Sequence, residues 1–268
     1  GGALTWPLRR AALLAGLALF VWIYQPQLLR AVYPDTPYRQ AMEEIAALVV
    51  RRQYSSAMDA TLSVIIVNYN TCDLLRDCLR SVLASQCELS YEVLVVDNRS
   101  PDGSAAMVRS EYPQVRLIES PVNGGYAYAN NLGLTAATGR HLLLLNPDTV
   151  LPPQALQDMY RFVMDHPEAG VVGPKLVLAD GSLDLACRRS FPTLEVAFYR
   201  LTGLSRRYPQ SPRFNRYNLC YLDPDQMNEV DSVVGAFMWI RREALEQAGL
   251  LDERFFAFGE DIDLCYRI

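Results

Sequence analysis

Four short stretches of this 268-residue chain set polar residues directly behind apolar runs. Asn68-Tyr69-Asn70 follows Leu62–Val67, and Asp97-Asn98-Arg99-Ser100 follows Tyr91–Val96. Asn123-Gly124-Gly125 comes after Val115–Glu119, and Asn146-Pro147-Asp148 after His141–Leu145. Each residue type suggests a use. Tyr69 can stack on a base. Asp97 can accept from a base N–H or a ribose hydroxyl. Gly124-Gly125 lets backbone come close to a ligand. Asp148 can hold a hard divalent cation that neutralises a pyrophosphate leaving group. A further acidic cluster, Glu260, Asp261 and Asp263, follows Phe255, Phe256, Phe258 and Gly259. A carboxylate beside aromatic walls gains the basicity that a general base needs. Plainer readings exist for each feature. Asn, Asp and Gly are common turn residues, and acids suit a helix N-terminus. Four polar tips in succession weigh toward a site.

The surrounding periodicity says what would position them. Leu62–Val67, Tyr91–Val96, Val115–Glu119 and His141–Leu145 read as strands. Helical spacing is expected over Thr71–Ala84, Ser104–Tyr112, Tyr126–Thr138 and Pro153–His166. Later come a strand, Val233–Ile240, a helix, Arg242–Ala248, ended by Gly249, and a helix begun by Glu260. Alternating strands and helices predict an α/β fold with a mainly parallel sheet covered on both faces, which explains the unbroken leucines of the fourth strand. Ligands bind beyond the carboxyl ends of such strands, where all four polar tips lie. No GxGxxG follows the first strand and no P-loop motif occurs, so ordinary dinucleotide and P-loop binding are disfavoured.

Half of the residues are apolar and the net charge is −5, which suits a globular domain and not a nucleic-acid binder. Six cysteines form no CxxC pair and only two histidines occur, so reduced thiols are expected and a zinc site is not. Residues 1–60 read as a leader and linker, and residues 61–268 as the main domain. The leader carries +2 against −7 for the remainder. Its apolar run Ala11–Tyr24 has fourteen residues, short of the roughly 18–20 of a spanning helix. A short membrane anchor, an interfacial helix and a core helix all fit it. Thr36-Pro37 starts an amphipathic helix, and Ser55–Ala60 reads as linker. Gly1 in place of Met, and a mid-pattern stop at Ile268, predict a fragment at both ends.

The ordered motifs SVIIVNYNT, VVDNRSPDGS, NGGYAYANNLG, LLLNPDT, VGP and DERFFAFGEDIDLCYR resemble bacterial family 2 glycosyltransferases of the GT-A fold. The likeness runs from Thr61 to Ile268 and leans to the rhamnosyltransferase-like branch. It implies that Tyr69, with Asn70 beside it, packs on the donor base, and that Asp97 binds base or ribose. Asn123, Gly125, Asn130 and Asn131 would line the nucleotide and donor sugar. Asp148 would stand last in a DxD-type motif, holding Mg²⁺ or Mn²⁺, with Asn146 first as a weaker ligand. Asp261 would be the catalytic base, paired with Glu260, and Arg188-Arg189 would approach the diphosphate. The resemblance implies inverting transfer from a nucleotide sugar, dTDP-L-rhamnose, to a lipid-linked or cell-surface glycan. The acceptor would be carried on polyprenyl diphosphate at the cytoplasmic face of the bacterial inner membrane. Further helices, often with a metal-site histidine, would follow, so residues 1–268 alone are expected to be poorly active. The alternatives are a catalytically inactive sugar-nucleotide-binding scaffold and a sugar nucleotidyltransferase.

Overall fold

A computed structural model describes residues 60–268. The expectations for the apolar run Ala11–Tyr24 and the helix after Thr36-Pro37 lie outside the described residues. The chain runs β1 (Leu62–Asn68), α1 (Cys72–Leu83), β2 (Tyr91–Asp97), α2 (Ser104–Glu111), β3 (Arg116–Glu119), α3 (Gly125–Ala136), β4 (His141–Leu145) and α4 (Ala155–Asp165). Then come β5 (Val171–Val172), a 3₁₀ turn at Leu185–Cys187, α5 (Leu194–Leu201), α6 (Leu204–Arg207), β6 (Phe237–Arg241), α7 (Arg242–Ala248) and α8 (Glu260–Arg267).

The six strands form one sheet in the order β3-β2-β1-β4-β6-β5. The first four are mutually parallel, with Leu62 beside Tyr91 on one side and His141 on the other. β6 runs antiparallel to β4, and β5 antiparallel to β6. All seven residues of β1 and all five of β4 are buried, as a sheet covered on both faces requires. Alternation sorts them. Val64, Ile66, Leu143 and Leu145 pack with Leu75, Leu79, Met107 and Leu156 of α1, α2 and α4. Ile65, Leu142 and Leu144 pack with Ala127, Leu134, Leu245 and Leu264 of α3, α7 and α8. Burying each such leucine stabilises the fold by about 1.5–3 kcal/mol before entropy is charged. The six cysteines are free thiols.

Most expected elements stand within two residues of their expected ends. The last strand is shorter than expected, starting at Phe237 rather than Val233. Between β5 and β6 the chain makes a long excursion with little regular structure, which periodicity did not resolve. Among the described residues, no helix is long and apolar enough to cross a membrane.

Candidate active site

The sheet delivers the polar tips to one edge, as parallel order demands, and locks three of them together. At the end of β1, Asn68 is fully buried. Its Nδ2 donates to Asp97 Oδ1 at 3.1 Å and to Ser100 Oγ at 3.0 Å, and its Oδ1 accepts from Thr71 at 2.6 Å. Asp97 is buried too, and its Oδ2 accepts from the Ser100 backbone at 2.9 Å. Asn98 then reaches the third tip. It donates to Asn123 Oδ1 at 2.9 Å and accepts from the Gly124 N–H at 3.2 Å. Asn123 also accepts from the Gly125 N–H at 3.2 Å. The turns demand left-handed backbone at Asn70, Arg99 and Gly125. For Arg99 that conformation costs roughly 1–2 kcal/mol, a strain sustained only by such a network. Gly125 has a second reason: a Cβ there would meet the Phe256 carbonyl oxygen at 2.4 Å. The Tyr126 N–H donates to that same carbonyl at 2.7 Å.

Tyr69 and Asn70 stand exposed at the first tip, where a ligand can reach them. Asn130 and Asn131 are committed inward. Asn130 donates to the Tyr126 carbonyl at 2.9 Å. Asn131 donates to the Leu251 carbonyl and to Glu253, both at 2.9 Å, and accepts from the Leu251 N–H at 3.1 Å. Its amide therefore pins the loop before α8, which is a different use from the expected lining of a donor sugar.

The fourth tip connects to α8 through one hydroxyl. Tyr126 Oη lies 3.0 Å from Asn146 Oδ1 and 3.0 Å from the Gly235 carbonyl oxygen. The Gly235 N–H in turn donates to Asp261 Oδ2 at 3.3 Å. Burial raises the Tyr126 phenol above its ordinary value, and the charges of Glu260, Asp261 and Asp148 raise it further. The charges of two distant stretches, Asp148 and the adjacent Glu260 and Asp261, thus reach one tyrosine. Asp148 is exposed and has no hydrogen bond or ion pair among the described residues. Its charge is also felt by Cys78, whose thiol burial chiefly pushes up to about 12. Asn146, by contrast, spends its side-chain oxygen on Tyr126.

Asp261 is held differently. It is buried, and its Oδ2 accepts from Arg189 Nη2 at 2.6 Å. Arg189 also donates to the Val233 carbonyl at 2.9 Å, while its backbone bridges to Ser232. Arg188 donates to the carbonyls of Leu222 and Asp223. The arginine pair expected to approach a diphosphate is therefore spent on α8 and on the excursion. The aromatic-wall expectation is corrected likewise. Phe256 and Phe258 are 61% and 90% exposed, so they do not enclose Asp261. Burial, and after it the charge of Asp261, raises the Glu260 carboxyl above its ordinary value. Its Oε2 has no hydrogen-bond partner among the described residues.

Sequence reasoning missed Tyr126 and the inward role of Arg189. Tyr126 looked like one more position of an apolar helix, and nothing in the spacing ties residue 189 to residue 261. Among the described residues, no group of three or more His, Cys, Asp or Glu gathers to hold a metal. The donor set fits a cation that meets one carboxylate, Asp148, and takes its other ligands from substrate phosphates and water, as Mg²⁺ commonly does.

Residues 63–249 match the family model described as glycosyl transferase family 2. A protein of Mycobacterium tuberculosis named N-acetylglucosaminyl-diphospho-decaprenol L-rhamnosyltransferase is 29% identical over 222 residues, covering 79% of this chain and 71% of that one. The Haloferax volcanii low-salt glycan biosynthesis hexosyltransferase Agl10 is 29% identical, over 77% of this chain and 61% of its own. Among solved structures, Staphylococcus aureus TarS 1-349 in complex with UDP superposes with TM-score 0.52 at 20% identity, over 76% of this chain and 54% of that one. The mannosyltransferase PcManGT of Pyrobaculum calidifontis, in complex with GDP-Man and Mn²⁺, gives 0.50 at 18%, over 83% and 59%. At such identities the structural likeness speaks to the fold alone. The profile match covers most of the chain, and with the parallel sheet and its polar edge it shows that this chain belongs to glycosyl transferase family 2, a glycosyltransferase on a GT-A fold.

Proposed function

We propose that the chain moves a hexose with inversion from a nucleotide-diphosphate donor to a polyprenyl-diphosphate-linked or cell-surface glycan, the donor being dTDP-L-rhamnose. The observation that carries this is the Tyr126 bridge. It ties the fourth tip, through Asn146 of the Asn146-Pro147-Asp148 turn, to Gly235, whose N–H holds Asp261. The name of the mycobacterial relative supports the sugar and the acceptor carrier. The complexes of the structural neighbours support a nucleotide sugar and a divalent cation.

Tyr69 offers its exposed ring to the base. The buried Asn68–Asp97–Ser100 net fixes the tip beside it, and each Asp97 oxygen keeps a lone pair for a base N–H or ribose hydroxyl. Asp148 would hold Mg²⁺ or Mn²⁺ together with donor phosphate oxygens. Such a cation supplies charge neutralisation to a departing nucleoside diphosphate. Asp261, oriented by Arg189 through Oδ2, takes the acceptor hydroxyl proton. The acceptor oxygen bonds to the anomeric carbon as the bond to the diphosphate oxygen breaks on the opposite face, so the configuration inverts. The enzyme works at the cytoplasmic face of the bacterial inner membrane, attached peripherally or through its leader.

Calorimetric titration of the chain with dTDP-rhamnose, with and without Mn²⁺, tests the donor half. Donor affinity should rise with the cation. Asp148→Ala should remove that gain, an effect of about tenfold or more for a lost charge-assisted contact. A chain that binds no nucleotide sugar under either condition would instead support the inactive scaffold.

A further inference from the structure

The excursion between β5 and β6 carries a surface that the site does not use. On α5, Leu194, Phe198 and Leu201 recur at i, i+4 and i+7 and point outward, 92%, 57% and 89% exposed. The opposite face of the same helix, Val196 and Tyr199, is buried. An ordinary surface helix turns such a stripe inward, so this one is built inside out. It is also firmly made. Thr193 caps it by accepting from the Val196 N–H at 3.3 Å, and Tyr199 packs edge-on against Phe214 with ring centres 5.0 Å apart.

Its charge setting is distinctive. Between Arg188 and Leu222 there are seven arginines and a single acid, Glu195, in a chain whose net charge is −5. Arg188 and Arg189 turn inward, but Arg200, Arg206, Arg207, Arg213 and Arg216 are all exposed. Glu195 is engaged by the Tyr199 hydroxyl at 2.5 Å. Arg200 lies over the Tyr217 ring at 4.8 Å and Arg207 near the Tyr208 ring at 5.5 Å. An exposed apolar stripe in a segment this rich in exposed arginines has the chemistry of a helix lying in the headgroup layer of an anionic bilayer. A second copy packing by this same face would bring like charge against it and be repelled.

We infer that α5 and α6 dock on an anionic phospholipid surface, with Leu194, Phe198 and Leu201 in the acyl boundary and exposed arginines of the two helices, Arg200, Arg206 and Arg207, among the headgroups. The docking segment is continuous with the catalytic side of the site. It leaves the core from Ser190, next to the Arg189 that holds Asp261. The Ser190 N–H donates to the Tyr217 carbonyl at 2.9 Å, closing the excursion on itself. Docking would therefore present the Asp261 side of the edge to a lipid-borne acceptor. That purpose rests on the acceptor proposed above, whereas binding to lipid does not.

Hydrogen–deuterium exchange on the full chain, with phosphatidylglycerol or phosphatidylcholine vesicles, reads this contact separately from anything the leader does. Phosphatidylglycerol vesicles should protect residues 194–207, phosphatidylcholine vesicles should protect them far less, and added salt should weaken the effect. The triple variant Leu194→Ser, Phe198→Ser, Leu201→Ser should lose that local protection while keeping its melting temperature. In it, partitioning through this segment should fall about a hundredfold, given three apolar side chains withdrawn from lipid. Vesicle-bound chain with residues 194–207 still exchanging freely would overturn the inference. So would a chain that does not bind vesicles. A concentration-dependent dimer abolished by the triple variant would reassign the face to a second copy. Donor binding measured in the same samples shows whether the glycosyl-transfer reading stands or falls independently.

Discussion

At the first three strand tips Asn68, Asp97, Asn98 and Asn123 satisfy one another, whereas around α8 opposite charges are buried with atoms left over. The tip network is mostly amides and one carboxylate, each with at least one partner, so it fixes shape at little electrostatic cost. The α8 side holds Arg189 against Asp261, with Glu260 beside them. There Arg189 Nε, Glu260 Oε2 and Ser232 Oγ have no hydrogen-bond partner among the described residues. A satisfied network is rigid and ready. A charged one depends on each member, because removing one leaves the others uncompensated in a poor solvent for ions. On the proposed function, recognition of the donor would rest on the first kind of scaffold and proton transfer on the second.

The largest way to break that contrast is Asp261→Asn. Turnover should fall by about 10²–10⁴-fold, the usual worth of a general base, with donor affinity retained in a binding titration. Normal turnover would move the base elsewhere and strip the α8 side of its chemical role. Next in size is Arg189→Met, which leaves Asp261 buried without its partner. We expect a loss of about 3–5 kcal/mol in urea denaturation, and a much smaller loss would mean that water already compensates the pair. The bridge between the two sides is tested by Tyr126→Phe. One hydroxyl is removed, with a stability cost of about 0.5–1.5 kcal/mol. The two sides should also uncouple, so that donor no longer raises the melting temperature by as much.

The smallest effect has a defined sign. Burial lifts the Glu260 carboxyl above its ordinary value of 4.5. The folded protein therefore holds that proton more tightly than the unfolded chain. The stability this confers is complete below 4.5 and is lost as pH rises through the folded value. Glu260→Gln removes the dependence, so its melting temperature should gain on the wild type between pH 4 and pH 7. A difference that does not change with pH would show that Glu260 titrates normally and that the α8 side is better solvated than its burial implies.

How much of this was legible in the sequence follows from the physics of each element. β4 and α7 were readable to the residue, because unbroken apolar runs and a terminating Gly249 are local signals. The polar edge was readable too, since parallel crossovers oblige every strand to end on the same side. β6 was read four residues early. Val233 and Val234 continue the apolar pattern, but Gly235 and its neighbours leave the ladder to meet Tyr126 and Asp261, and periodicity cannot see such partners. The same blindness hid the Arg189–Asp261 pair, which spans 72 positions. It also explains the mistaken aromatic enclosure. Phe258 adopts a left-handed backbone that throws its ring outward, a property of the turn and not of the residue.

The adjacency of β5 and β6 has an evolutionary consequence. Val171 pairs with Ile240 and Val172 with Trp239, so residues 173–236 form a loop whose two ends are stapled side by side. Closing such a loop costs only slowly more as it lengthens. The stretch can therefore change in length and sequence at little cost to the sheet, provided Arg189 stays to seat Asp261. Under the proposed function, the part of the chain facing the acceptor could then diversify independently of the part that would bind the donor.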